Sequence, residues 1–463
     1  MCRTHLLTQH VDAGVEAPDA VGGGGTERPT EIPGGKFVAA VFAAIWIAIG
    51  AIYLDHHVVQ SSDSMNNYVH VWWIARELWH HGWLPWRMPV LGHGDAYAYP
   101  YGFVNWTVAA LFWPLFGNWA VTLATVAGAV GCIVATFVAF PELREGWWAA
   151  AVLANPAIIE SLLFGQQAFA WGAALLLFGI ACWRRGRRFT AAILVGLAQA
   201  THAPIVLPIG LLLVLIAMWF VPDRRALLRY YAISLVVALP AAILVFASPG
   251  YADSSERDRL VNFVGTLAPR LLVIALPFLF LWLRSMRIRA LAPLTVVVML
   301  ATNVALQEPL NVGFQWRAVT RSHDVSTASL DNFLRSAEFE PGATYRVLRG
   351  AGDGKLGLYH VLLAGGRLDS EMFPESMAIR NFANLAEYEQ LLCARHVDFV
   401  IAYDSYTSSR HTNEIALLAK LAAAPSSGAG APAVQVRPIE RGPGHVVYQV
   451  TRTGCPEGSP SSS

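Results

Sequence analysis

A succession of apolar runs between residues 37 and 306 limits what this chain can fold into more than any other feature. The runs are 37–54, 102–116, 118–140, 147–164, 167–183, 189–201, 203–221, 228–248, 261–283 and 290–306. A helix needs about 20 apolar residues to cross a bilayer, and about 17 at the short limit. An α-helical polytopic membrane protein is therefore the expected fold. Several runs are short, which suits helices packed around a cavity rather than facing lipid on all sides. Composition points the same way: 55% of the 463 residues are hydrophobic and 14% are charged, against about 25% charged in soluble domains. The formal net charge is +1, which gives no electrostatic case for nucleic acid as a partner. Lys occurs only at Lys36, Lys355 and Lys420. That bias towards Arg suits a GC-rich, bacterial genome.

Arginine clusters orient the runs. "WRRGRR" (183–188), "PDRR" (222–225) and "RSMRIR" (284–289) belong on the cytoplasmic side. "GQQ" (165–167), "THAP" (201–204) and "SPGYADSSERDR" (248–259) then fall outside, "PELREG" (141–146) inside and Asn118 outside. Residues 1–35 are rich in Gly, Pro and acid and lack an apolar period, so they are expected to be a disordered cytoplasmic N-terminus. No cleaved signal peptide is expected, because the apolar run starts only at Phe37. The transmembrane domain is expected over 36–306, with 55–101 as an outer loop. The run 102–116 must then enter and leave on one side, as a re-entrant or interfacial helix beside about nine spans. The alternative is about ten spans with 55–101 in the cytoplasm. The loop's few basic residues weigh against it. The localisation that follows is a bacterial inner or plasma membrane.

After Leu306 the chain takes on ordinary charge, and 307–463 is expected to be a small extracytoplasmic α/β domain. "TYRVLRG" (344–350) and "VDFVIAYD" (397–404) read as buried strands, "LAEYEQLLCARH" (385–396) as a helix and "HVVYQVT" (445–451) as a closing strand. The five Cys show no metal-type spacing. Cys132 and Cys182 sit in apolar runs as small core residues, and a Cys393–Cys455 disulfide is admissible outside the cell.

The stretch "DSMNNYVHVWWIARELWHHGWLPWRMP" (63–89) holds the candidate chemistry. Ser62 or Asp63 can cap a helix that runs to about His81 and ends at Gly82. Asp63 and His70 would share one face of it. Trp72, Trp73 and Trp79 would hold it on the outer membrane surface, as anchors rather than sugar platforms. Asp63 can equally be a cap alone, and His70 a packing residue. His56, His57, His80, His81 and His93 match no metal-ligand spacing. Arg270, inside an apolar run, is a functional candidate by its place, or it snorkels outward.

An acid after the first span, a His one helix face later, "GWLPW", then "YP" before the next apolar run, resembles the first outer loop of GT-C glycosyltransferases. The pattern is most similar to YfhO-like and 6-pyruvoyl-tetrahydropterin-synthase-related bacterial membrane proteins, which also end in a small α/β domain. The stretch 162–204 is similar to polyprenol-phosphate-mannose-dependent transferases, with His202 standing where their pattern has Lys. The resemblance implies transfer of a sugar from a polyprenyl-phosphate donor to an envelope glycan, lipid or protein on the outer face. Asp63 would then be the general base, with Asp55 as the second candidate and His70 orienting the base or binding phosphate. His202, Arg257, Arg259 and Arg270 are the candidates for the donor phosphate. Some such transferases use a divalent cation near the base. No Gly-rich phosphate loop accompanies these residues, so a lipid-phosphate donor fits better than a sugar nucleotide. A flippase for lipid-linked sugars and an inactive envelope scaffold are the competing readings. The sequence shows no clear internal repeat of the kind transporters carry.

Overall fold

A computed structural model of the chain describes residues 32–55, 58–59, 61, 63–91, 94, 96–97, 101–248, 256–288, 290–306, 316, 325–348, 353–369, 382–403, 413–424 and 433–455. The chain is a mostly helical membrane protein with a small C-terminal sheet domain. Its first part contains α1 (Gly35–Asp55), α2 (Ser64–His81), α3 (Phe103–Phe116), α4 (Asn118–Ala139), α5 (Gly146–Leu153) and α6 (Pro156–Leu163). After these come α7 (Gln167–Arg184), α8 (Arg188–Thr201), α9 (Ala203–Ala217), α10 (Arg224–Phe246), α11 (Glu256–Ser285) and α12 (Leu291–Leu306). Among the described residues, five segments are long and apolar enough to cross a membrane: α1, α4, the α5–α6 unit Gly146–Leu163, α7 and α10. At about 1.5 Å per residue they reach or approach the ~30 Å hydrocarbon thickness. The α5–α6 unit breaks at Asn155, whose side chain accepts the Ala157 N–H at 3.1 Å. Pro156 follows at the first helical position, where its missing N–H costs nothing.

The helix ends sort into two groups. At one end, Arg184 donates to the Glu142 carboxylate at 2.9 Å and to the Ala139 carbonyl. Arg284 donates to the Glu142 carbonyl, Arg188 pairs with Asp223 at 3.6 Å, and Trp147 donates to Ile32 O at 3.0 Å. This arginine end gathers the start of α1 with the α4–α5, α7–α8 and α9–α10 turns. At the opposite end, Asp63 N–H donates to Phe164 O at 2.9 Å and Gly102 N–H to Thr201 O at 2.8 Å. There too, Ala96 N–H donates to the Ser248 hydroxyl at 2.9 Å.

The two ends of α3 lie on this second side. Gly102 meets the end of α8, and Asn118, just past α3, accepts the Tyr359 hydroxyl of the C-terminal domain at 2.7 Å. At 14 residues, α3 spans only about 21 Å. It runs along that end with Leu111, Phe112 and Leu115 exposed, as an interfacial helix does. Gly102 starts it at φ +102°, and a Cβ there would strike the Trp106 ring.

The C-terminal domain has α13 (Val325–Leu334), β1 (Thr344–Leu348), α14 (Asp353–Leu363), β2 (Arg367–Leu368), α15 (Leu385–Ala394), β3 (Phe399–Tyr403), α16 (Glu414–Ala423), β4 (Val434–Gly442) and β5 (His445–Arg452). The strand order is β2-β1-β3-β5-β4; β2, β1 and β3 are parallel, and β5 and β4 antiparallel. Inside it, Arg346 forks onto Glu414 and also pairs with Asp369, so its buried charge is compensated. Cys393 and Cys455 form a disulfide with Cα atoms 5.6 Å apart. The domain and the 63–97 loop share one apolar core that includes Met65, Tyr68, Leu91, Tyr359 and Phe399. Leu91 also pairs with Leu368 of β2 in a parallel bridge.

Candidate functional site

The start of α2 is fixed by the turn between α6 and α7. Asn67 donates to Gly165 O at 2.8 Å and accepts the Trp106 indole N–H at 2.8 Å. Gly165 has φ +69°, and a Cβ there would collide with the Ser64 hydroxyl. Glycine at 165 therefore lets α2 begin against this turn. Asp63 stands at the N-cap position, yet its side chain makes no capping hydrogen bond. The carboxylate is left available.

Arg270 of α11 is within electrostatic reach of it, and His202, between α8 and α9, is within reach of Arg270. The Asp63 carboxylate and the Tyr101 hydroxyl act electrostatically on the Arg270 guanidinium. Asp63 and Arg270 form no salt bridge within 4.0 Å, although both are described. Arg270 sits over the Phe169 ring at 5.5 Å. His202 packs against the same Phe169 at 6.1 Å and stacks on Tyr101 at 4.6 Å. His202 is buried, and its Nδ1 meets no partner from any other described residue. The Arg270 guanidinium thus interacts electrostatically with both the Asp63 carboxylate and the His202 ring at the domain end. That set can hold an anionic oxygen group and remove a proton beside it.

The other sequence candidates fall elsewhere. His70 does not line up with Asp63 in the cluster. It is buried, stacks on Trp106 at 4.0 Å, and its Nδ1–H donates to Tyr97 O at 2.7 Å. Burial pushes its pKa down to about 4, against the Tyr97 carbonyl that favours the proton, so the ring is neutral. It supports the site through stacked rings: Trp106 lies 5.9 Å from Tyr101. The first half of α2 is enclosed by protein. Residues 64–71 are buried against α3 and the α6–α7 turn and, through Tyr68, 6.0 Å from Tyr359, against the C-terminal domain. Of the three Trp expected at the interface, Trp73 is buried and donates to Arg87 O at 3.2 Å. Trp79 is exposed, as are Trp83 and Trp86 beyond it.

Asp55 ends α1, is exposed, and is not among the groups that act on Arg270. Arg257 and Arg259 fall in the first turn of α11, and their side chains lie outside the described residues, as do His56, His57 and His93. Among the described residues no group of three or more His, Cys, Asp or Glu could hold a metal ion. Sequence reasoning passed over Tyr101 and Phe169, the rings on which His202 and Arg270 rest. The only signal for Tyr101 was its place next to the glycine that opens α3.

No family model matches the chain, and no curated protein does. Among solved structures, ArnT from Cupriavidus metallidurans, crystallised with undecaprenyl phosphate, is similar over 90% of this chain and 99% of that one. The identity is 14% and the TM-score 0.44.

Proposed function

We propose that the protein is a GT-C-like membrane glycosyltransferase of the YfhO-like kind, moving a sugar from a polyprenyl-phosphate donor to an envelope acceptor. The observation that carries this is the Asp63 carboxylate, free of any capping hydrogen bond and within electrostatic reach of Arg270, which also acts on His202. In the proposed reaction Asp63 takes the proton from an acceptor hydroxyl as that oxygen attacks the sugar. Negative charge then collects on the departing phosphate. The Arg270 guanidinium and the His202 ring meet that charge, where a preorganised cation acts more strongly than in water. His70 is a positioning residue that holds Trp106, and through it Tyr101, in place. The arginine clusters of the α7–α8 and α9–α10 turns and the end of α11 lie at the far end of the bundle, so the positive-inside rule favours an extracytoplasmic site. The Cys393–Cys455 disulfide favours the same compartment for the domain. The acceptor is an envelope glycan, lipid or protein.

Membranes from a deletion strain carrying Asp63→Asn test the base. Turnover of lipid-linked sugar should fall by about 100-fold or more, while the donor is still bound. Arg270→Gln should instead weaken the donor, seen as a raised KM. Full turnover with Asp63→Asn would exclude the base, and unchanged KM with Arg270→Gln would exclude the phosphate contact.

A further inference from the structure

At the arginine end, away from the cluster around Asp63, an open-sided groove of about 420 Å³ runs between α7, α8, α9, α10 and α11. Gly179, Ala191, Gly210 and Ala217 give it width. Phe220 and Phe278 line its side and are exposed, so it opens towards lipid. Its wall is nearly all hydrocarbon. Tyr231 and Ser234 line it deeper along α10. Along α7 the groove extends from Arg184 to Leu176, about 12 Å at the helical rise. That is close to one leaflet of a hydrocarbon layer about 30 Å thick.

The rim has the opposite character. Trp183 and Tyr230 meet edge to face at 6.1 Å there, as rings at a membrane interface do. Arg184 and Arg188 have acidic partners in Glu142 and Asp223. Arg187, in the turn after α7, and Arg224, at the start of α10, are exposed and have no ion pair among the described residues. The mouth therefore carries surplus positive charge above an apolar trough one leaflet deep.

We infer that this groove holds a hydrocarbon chain of an anionic phospholipid, with the lipid phosphate on the arginine rim. Charge selects the headgroup, and the length of the trough matches one leaflet. The site is separate from the proposed transfer and does not depend on it.

The test uses the full chain in nanodiscs of equal parts phosphatidylglycerol and phosphatidylcholine. The protein is then extracted gently and its retained lipid quantified by mass spectrometry. Among the retained lipid, the ratio of phosphatidylglycerol to phosphatidylcholine should rise about five-fold or more above that of the bulk. Combined Arg187→Gln and Arg224→Gln, both at exposed positions, should abolish the enrichment yet leave a lipid bound. Ala217→Trp should fill the trough and lose the lipid itself, with Val214→Phe as a milder filling change. Retained lipid of bulk composition on the unaltered protein would overturn the inference. So would enrichment that survives the arginine changes, or lipid retention unaffected by both filling variants.

Discussion

His70 shows how far a single residue can depart from what its spacing suggests. Seven residues after Asp63 it shares a helix face, but spacing says nothing about what covers that face. Here Trp106 and the Tyr97 carbonyl enclose it. The consequence is measurable. With a folded pKa of about 4 against about 6.5 unfolded, the unfolded chain binds more protons between those values. Stability is therefore full above pH ~6.5 and is lost as pH falls towards 4, by up to about 3 kcal/mol. Thermal melts of the protein and of His70→Phe at pH 7 and pH 4.5 should diverge in this sense, with the variant less sensitive to acid. Asp63, His202 and Arg270 were candidates in the sequence on different grounds: Asp63 as an acid soon after the first span, His202 by the transferase-like pattern, and Arg270 as a cation inside an apolar run, where such groups are expensive. Tyr101 and Phe169 were not, since nothing in the sequence separates two rings from the many that pack lipid or core.

At the scale of elements, the turn between α6 and α7 places α2. Gly165 combines a positive φ with contact against Ser64. Gly165→Ala should cost about 1–2 kcal/mol for the backbone alone, plus whatever the displaced helix start requires. Proteolysis within residues 63–97 should speed up, and activity should fall with it as Asp63 shifts. A null effect on both would mean that α2 is held from elsewhere. The helical runs could be read because each is apolar over several turns. In the C-terminal domain β1, β3 and β5 were also legible, being short apolar runs. The strand β4 was not: "VQVRPIERG" mixes polar residues with Pro438 and carries an irregularity between Pro438 and Glu440. It is an edge strand, and an edge tolerates what a central strand would not.

At the scale of the whole molecule, the C-terminal domain and the outer loop are one packed body, and the disulfide closes the domain's last turn onto α15. Cys393→Ser removes a crosslink across a separation of 62 residues. It should destabilise the domain by about 4 kcal/mol, read as a lowered melting temperature and as exposure of α2 to hydrogen exchange. The joint between domain and loop left no trace in the sequence, because the pairing of Leu91 with Leu368 joins positions far apart along the chain through one backbone contact. That contact has a further meaning. β2 is the margin of its sheet, and a bare margin invites strands from other molecules. Here the protein's own loop occupies it. The domain should therefore be a poor citizen on its own: residues 325–455 released from the membrane part would self-associate along β2, and sedimentation should find multimers where the intact chain gives none through that edge.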